Sequence, residues 1–472
     1  MAPRSVGARM NAAMLTGGRK FGEALRVVET LRAAGFEAFL AGGCVRDLLL
    51  GREPADYDVA TSATPDVVLD LFERTFAVGA KFGVVLVAPE DAGFVTEVAT
   101  FRSDGAYSDG RRPDAVRYSE SAEEDVQRRD FTINGLLLDP LRASGILENR
   151  EQLRAAVLDY VGGIGDLDAG VVRAIGRAEL RFEEDHLRML RAVRFAARFG
   201  FEIEPGTKKA IGLLAAKVNG VSRERVRDEL TKMLTEGRAR RAFELLDETR
   251  LLNEVLPEIA RMKGVEQPPQ FHPEGDVWVH TLMLLEQLEP GCSATLAWGA
   301  LLHDVGKPPT FRRATDRIRF DGHVEIGVVM AAEICRRLRF SNEETGQILA
   351  LIENHMRFMD SGRMKESTLK RFLRLPQFDE HLALHKMDCM AGSGFLENWD
   401  FMQEKMQTLS LETVRPRPLI TGRELIAAGY KPGPGFKEIL REVEDAQLEG
   451  KIATDDEAMQ LVRVRFGSRP VD

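Results

Sequence analysis

An α/β domain followed by a long all-helical remainder is the fold class this sequence predicts. Between about Phe21 and Asp139 a helical pattern alternates with four short β-rich runs, FEAFLAGGCV, KFGVVLVAP, FVTEVATF and FTINGLLLD, as a mixed sheet with helices requires. Beyond Tyr160 the strand signals stop and helical segments dominate to the end. The 472 residues, 44% of them hydrophobic, suffice for several cores. Boundaries are expected at the Pro-containing stretch Gly264–Pro273 and near the RPRP run Arg415–Pro418. The expected segments are an N-terminal tail (1–20), the α/β domain (21–160), a helical neck and body (161–265), a second helical domain (266–395) and a helical tail (396–472).

Composition removes several function classes. The net charge of −9 argues against coating nucleic acid by bulk positive charge, so any contact with RNA must be local. Arginine is locally dense, with Arg173, Arg177, Arg181, Arg188, Arg191, Arg194 and Arg198 in one short stretch. Cys44, Cys292, Cys335 and Cys389 lie far apart without a C-x-x-C pair, which suggests neither a disulfide framework nor a thiolate zinc site and fits a reducing cytoplasm. No apolar run is long enough for a membrane span, and the first twenty residues carry no long apolar core of a signal peptide. A cytoplasmic protein without a membrane partner is expected, and its oligomeric state is left open.

The segment LAGGCVRDLLLGREPADYDVAT combines features that phosphoryl transfer uses. Gly42 and Gly43 follow an apolar run and open a helical segment, where backbone amides can approach a phosphate without a Cβ in the way. Asp56 and Asp58 stand two apart; on a strand they would project to one face and could share a pair of divalent cations about 4 Å apart. Alone, a D-x-D pair is more often a solvated turn. Further on, Arg188, Arg191, Arg194 and Arg198 advance by three, three and four residues and so share one arc of a helix. Glu183 and Glu184 are too few to neutralise that row, which calls for a phosphate-rich partner.

Five blocks then occur in a telling order: GGCVRDLLLG with DYDVAT, RRDFTINGLLLD (Arg128–Asp139), VGGIGDLDAGVVR (Val161–Arg173), EEDHLRMLRAVRFAARFG (Glu183–Gly200) and VSRERVRDEL (Val221–Leu230). Over its first half the chain resembles the class II tRNA nucleotidyltransferase and bacterial poly(A) polymerase family. The resemblance implies a polymerase-beta-like nucleotidyltransferase head. It implies Asp56 and Asp58 as the catalytic, Mg²⁺-holding pair, with Arg128, Arg129 and Asp130 on the sugar and phosphates of the incoming nucleotide. Gly43, Arg46, Asn134, Asp185, Arg188, Arg191 and Arg194 join the implied nucleotide-binding set. Glu184, Asp185 and Arg188 match an amino-acid template: a carboxylate accepts from an exocyclic amine and a guanidinium donates to a ring nitrogen or carbonyl, as a complementary base would. On one continuous helix, Asp185 and Arg188 would be i,i+3 neighbours. Glu97 is either a third carboxylate near the metals or a structural strand-end residue.

The implied partners are the tRNA 3′ end, CTP and ATP. Family enzymes that add only two cytidines lack a flexible element that this chain retains between about Asp104 and Arg117, which favours complete CCA addition or terminal A addition. Poly(A) polymerases carry an R-R-F-R-type sequence where Val78–Val87 here reads VGAKFGVVLV, which places that activity second.

Of eight histidines, His280, His303, His323 and His355 fall in one helical region that also contains Asp304 and Asp388. In LLHDVGKP a nitrogen donor stands beside a hard oxygen donor, a pair able to bind a divalent metal and activate water. VWVHTL, LLHDVGKP, GHVEIG, ENHMRF and LHKMDC follow the order of an HD phosphohydrolase domain, which this region resembles. The resemblance implies His280, His303, Asp304 and Asp388 as ligands of a divalent metal, with His323 and His355 at accessory positions, and a phosphate at an RNA 3′ end as the attractive substrate. A rival reading makes the head a degenerate RNA-binding module and the HD region the working hydrolase.

Overall fold

In the computed structural model, residues 18–79, 83–89, 94–104, 116–143, 149–269, 275–315, 317–392 and 394–467 are described. The expected flexible element falls largely on 105–115, outside the described residues, as do residues 80–82 of the Val78–Val87 segment. Two compact units part between Pro257 and Glu258, ahead of the Gly264–Pro273 stretch.

The first unit opens with α1 (Arg19–Ala33), whose buried Phe21, Ala24, Val27, Val28 and Leu31 form a single apolar stripe. That stripe covers a mixed sheet of seven strands in the order β3-β4-β5-β2-β1-β8-β9. These are β1 (Ala38–Ala41), β2 (Val59–Thr61), β3 (Thr75–Gly79), β4 (Val84–Val87), β5 (Thr96–Thr100), β8 (Leu136–Leu138) and β9 (Val157–Asp159); β6 (Arg102–Asp104) and β7 (Val116–Tyr118) form a separate pair. Each of the four expected β-rich runs contains a strand. β1 is flanked antiparallel by β2 and β8, and β2 runs parallel to β5, so the two ends of the site-bearing sequence are stitched to one central strand. Phe39, Ala41, Ala60, Phe101, Val126 and Leu137 close the core beneath. The short helix α2 (Gly43–Leu49) follows β1.

The remainder is helical apart from small strand pairs that the sequence does not announce: β10 (Val171–Val172) with β11 (Glu202–Ile203), and an antiparallel hairpin of β12 (Arg312–Arg313) and β13 (Ile318–Arg319) in the second unit. In the first unit α3 (Ala178–Glu184), α4 (Leu187–Phe199) and α5 (Arg223–Thr235) carry the charged residues of the site.

The second unit is built around α6 (Val277–Glu286), α7 (Ala294–Leu302), α8 (His323–Arg337), α9 (Asn342–Asn354), α10 (Glu366–Leu373) and α11 (Phe378–Ala391). Their starts are set by side chains that take up orphan amides: Asp276 accepts from Val279, Ser293 from Leu296, and Ser341 with Glu344 completes a capping box. α12 (Gly435–Leu448) is held on α10 by Arg371 with Glu444 and Asp445, and by Lys370 Nζ donating to Leu448 O at 2.5 Å.

Helix α8 approaches the LLHDVGKP turn very closely: a Cβ on Gly306 would lie 2.0 Å from His323 O and 2.6 Å from Gly327 N. Gly306→Ala is therefore expected to destabilise the second unit by about 1–3 kcal/mol through overpacking. Gly346, inside α9 with nothing within 4 Å, is the opposite case. Gly346→Ala is expected to stabilise by about 0.5–1 kcal/mol, and urea denaturation of both variants checks the sign of each.

Candidate active site and metal centre

Ala41 N donates to Asp58 O at 2.9 Å, which tethers the D-Y-D stretch beside the glycine turn before the chain enters β2 at Val59. Asp56 and Asp58 thus precede the strand instead of alternating along it, and this tether brings both to one cleft. Gly42 has φ +73°, a conformation that favours glycine, and a Cβ there would lie 3.1 Å from Arg129 Nη1, which would have to shift slightly.

The cleft, about 650 Å³, is lined by Gly42, Gly43, Arg46, Asp56, Asp58, Arg128, Arg129, Asp130, Asn134, Asp185, Arg188, Arg191 and Arg194, together with Phe195, Arg198, Arg225, Lys232 and Glu236. Nine cationic side chains face five carboxylates, which leaves it net positive and suited to a polyphosphate in a chain whose overall charge is negative. Glu184 lines a neighbouring hollow instead, with Ser103, Ser121, Arg128 and Arg181.

At the carboxylate end, burial and then Glu97 raise Asp58 to about 6, against the pull of Arg129. Glu97 is itself held up by burial and, behind the opposing Arg129, by Asp56. Lys20 Nζ lies 3.3 Å from Asp56 Oδ1. Three mutually repelling carboxylates, all with oxygen donors, suit a hard cation such as Mg²⁺. Among the described residues these three do not bring ligand atoms within 4.8 Å of one another, a spacing that leaves coordination to be completed by substrate phosphates and water.

The arginines of the RRD block are held from behind. Arg128 Nη2 lies 2.6 Å from Asp125 Oδ1 and Arg129 Nη2 lies 2.9 Å from its Oδ2. Asp125 was not singled out from the sequence, although its i,i+3 and i,i+4 spacing to the two arginines was a visible signal.

The arginine row of α4 corrects an expectation, because the protein neutralises it without a phosphate. Arg191 Nε donates to Asp130 Oδ2 at 2.8 Å; Arg194 Nε donates to Glu229 Oε2 at 2.7 Å; Arg194 and Arg198 both reach Glu236 Oε2 at 3.2 Å. Glu229 and Glu236 stand two helical turns apart, a face-matching signal that the sequence carried but that has meaning only once α5 is known to lie against α4. Asp130 also accepts from Asn134 Nδ2 at 3.0 Å, and Asn134 Oδ1 accepts from Arg46 Nη1 at 2.5 Å. Arg46 itself is buried, its guanidinium 4.6 Å from the Phe199 ring centroid.

The template block departs from the continuous helix expected of it. α3 ends at Glu184, α4 starts at Leu187, and Asp185 between them is extended with φ −145° and ψ 106°. Asp185 therefore does not pair with Arg188. Its Oδ1 accepts from Leu187 N at 3.0 Å and its Oδ2 from Arg225 Nη2 at 2.6 Å. Arg188 takes Glu184 at 2.6 Å as its anchor and donates to Arg128 O at 3.1 Å. Arg225 lies in the VSRERVRDEL block, where nothing in its spacing sets it apart from the neighbouring arginines.

In the second unit His280, His303, Asp304, His323, His355 and Asp388 converge. His280 Nε2 is 3.0 Å from Asp388 Oδ1, and His303 Nε2 is 3.2 Å from Asp304 Oδ2. His323 Nε2 and His355 Nε2 lie 3.9 and 4.0 Å from Asp304 Oδ1. Two groups have ligand atoms within 4.8 Å of one another, His280–His303–Asp304 and Asp304–His323–His355, and they share Asp304. His303, His323 and His355 each place Nδ1 on a carbonyl three residues back, those of Ala300, Phe320 and Ile352, at 2.8, 3.0 and 2.7 Å. Donation from Nδ1 puts the lone pair on Nε2, which faces the cluster. Burial, then His303, lowers His355 to about 4, keeping it in the neutral form that ligates. Among the described residues, the buried Nε2 atoms of His303 and His323 have no hydrogen-bond partner. A borderline divalent metal fits this nitrogen and oxygen donor set. Lys307, which the sequence reading passed over, places Nζ 2.7 Å from Asp304 Oδ2.

A glycine-turn cleft with an acidic pair on a mixed sheet, backed by a helical arginine row, defines a nucleotidyltransferase head. The family models agree: the poly A polymerase head domain matches residues 38–173, the "Probable RNA and SrmB-binding site of polymerase A" matches 200–263, and domain 2 of tRNA nucleotidyltransferases matches 323–462. The chain is 40% identical over 270 residues to a CCA-adding enzyme of Lactobacillus gasseri, covering 56% of this chain and 64% of that protein, slightly under two thirds of its length. It is 32% identical over 447 residues to that of Streptococcus pneumoniae, covering 93% and 96%. The crystal structure of the Bacillus stearothermophilus CCA-adding enzyme in complex with CTP superposes with a TM-score of 0.71 at 26% identity, over 95% of this chain and 99% of that one. The chain belongs to the CCA-adding enzyme family of nucleotidyltransferases. No described helix is long and apolar enough to cross a membrane.

Burial alone would raise Asp130, but Arg191, Asn134 and Arg188 outweigh it and bring the carboxyl down to about 2 from an ordinary 3.8. A depressed carboxylate stabilises the fold above its unfolded pKa, and this contribution is lost as pH falls from about 4 through about 2. Asp130→Asn is expected to cost about 3 kcal/mol at neutral pH by removing the nearest carboxylate from Arg191 and leaving it only the more distant Glu229. Its stability is expected to fall less steeply than wild type over that acid window in denaturant titrations.

Proposed function

We propose that the cleft of the first unit adds C, C and A to the 3′ end of tRNA, using CTP and ATP and no nucleic-acid template. The observation that carries this reading is the convergence of Asp56 and Asp58 with the guanidinium groups of Arg128, Arg129, Arg188 and Arg191 on one net-positive cleft. Support comes from relatives named as CCA-adding enzymes and from the Bacillus stearothermophilus structure, which is a complex with CTP. The tRNA 3′-oxygen bonds to the α-phosphorus and gives up its proton, the bond from that phosphorus to the α,β-bridging oxygen breaks, and pyrophosphate leaves. Asp56 and Asp58 would hold Mg²⁺, which would supply activation of the hydroxyl and charge neutralisation on the leaving group. Arg128, Arg129 and Arg191 hold the phosphates, with Asp125 and Asp130 fixing the angle of each fork. Asp185 and Arg188 present an acceptor and a donor to the base edge; Arg225 and Glu184 hold them in place.

In the second unit the same logic of convergence favours a phosphoesterase. His280, His303, Asp304 and Asp388 would hold a divalent metal, with His323 and His355 accessory to it, and the metal would supply an activated water. Removing a 3′-phosphate, or opening a 2′,3′-cyclic phosphate at its 3′-oxygen to leave the 2′-phosphate, exposes the 3′-hydroxyl that the first unit extends.

Purified protein incubated with tRNA lacking CCA, and with CTP, ATP or both, is expected to yield complete CCA ends read at nucleotide resolution; C-C only, A only or long A tails overturn the reading. Asp56→Ala with Asp58→Ala is expected to lower incorporation at least about 10³-fold with thermal unfolding nearly unchanged, and retained activity sinks the assignment of these carboxylates. Release of phosphate from RNA ending in 3′-phosphate is expected to stop on chelation and in His303→Ala with Asp304→Ala. Unaltered release in that variant removes the second reading.

A further inference from the structure

Between the LLHDVGKP turn and α8 the chain makes the antiparallel hairpin of β12 and β13. Residues 311–320, FRRATDRIRF, carry four arginines against one aspartate and are bounded by Phe311 and Phe320. The register sets Arg312 directly opposite Arg319, so the hairpin gathers like charge across its two strands. Among the described residues Arg312 and Arg313 are held at the rim, by Asp321 at 2.8 Å and Glu266 at 2.5 Å, in pairs whose side chains are each more than 60% exposed. Such exposed pairs contribute under about 1 kcal/mol and exchange readily for a phosphate.

The hairpin also connects physically to the His–Asp cluster. The exposed Phe311 ring lies 6.0 Å from that of Phe320; Lys307 Nζ lies 5.4 Å from the centre of the Phe320 ring and 2.7 Å from Asp304 Oδ2; and His323 Nδ1 is 3.0 Å from Phe320 O. A line of aromatic, cationic and carboxylate groups therefore runs from solvent to the residue shared by both ligand groups. Aromatic faces for bases, guanidinium groups for a sugar-phosphate backbone and a cation at the inner end match the chemistry of a single-stranded nucleic acid that presents a terminal phosphate.

We propose that this hairpin is the docking surface for the single-stranded 3′ end of RNA, with Phe311 stacking on a base, Arg312 and Arg313 on the backbone, and Lys307 receiving the terminal phosphate at the metal centre. The proposal rests on the reading of that centre as a phosphoesterase and adds its substrate-binding surface. A bland alternative, in which the arginines only staple the hairpin to Glu266 and Asp321, predicts no effect on RNA.

The test uses the full chain and an RNA oligonucleotide with 4-thiouridine next to a 3′-terminal phosphate, irradiated and mapped by peptide mass spectrometry. The crosslink is expected in residues 311–320. Arg312→Glu with Arg313→Glu, and separately Phe311→Ala, are expected to reduce it about tenfold. In the same variants kcat/KM for the oligonucleotide is expected to fall about tenfold relative to that for p-nitrophenyl phosphate. Crosslinking confined to peptides elsewhere, or unchanged in both variants with thermal unfolding intact, overturns the proposal. A crosslink at the hairpin with no phosphate released in Mg²⁺, Mn²⁺, Zn²⁺ or Ni²⁺ supports the surface and removes the phosphoesterase reading instead.

Discussion

Four guanidinium groups, those of Arg46, Arg191, Arg194 and Arg198, stand close together beside the cleft, and two of them, Arg46 and Arg194, are almost wholly buried. Guanidinium does not lose its proton in a protein, so this charge can be tolerated only if carboxylates and amides surround it. Asp47, Asp130, Glu229 and Glu236 do so, and with Asn134 they form a chain of polar and ionic contacts from the glycine turn to the far end of α4. The same constraint fixes each guanidinium fork before a nucleotide arrives, which reduces the ordering that binding must impose.

The second unit solves a related problem with the opposite sign of need. There the buried groups are ligands, and their order comes from carbonyls at the ends of α7 and α9 and at Phe320, which take the Nδ1 protons and turn the free nitrogens inward. The close approach at Gly306 belongs to this arrangement, since it seats the start of α8, and with it His323, against the turn that carries His303 and Asp304. Glycine at that point is a packing requirement and not a matter of backbone freedom: its φ is −82°.

A second feature common to both units is that residues touching a reactive group are held by a layer behind them. Asp125 sits behind Arg128 and Arg129, Arg225 behind Asp185, Glu184 behind Arg188, and Gln267 behind Lys307. Most of these holders escaped the sequence reading. A site residue is conspicuous because its type and spacing suit a reaction, whereas its holder is an ordinary charged residue on an ordinary helix until the partner element is known.

The sequence by itself determined the class of fold, the four β-rich runs that contain strands, and many of the residues that line the cleft, though not Phe195, Arg225, Lys232 or Glu236, because short-range patterns such as D-Y-D, RRD and HD are written contiguously. Tertiary structure decided how those residues are charged, turned and shared. The helix break at Asp185 gives that carboxylate to Arg225, forty positions away, in place of Arg188. The arginine row meets its carboxylates at Asp130, Glu229 and Glu236, and Asp304 falls between two ligand groups drawn from four helical segments. Each of these depends on which helix faces which, a choice made by the summed burial of many apolar side chains that no local motif encodes.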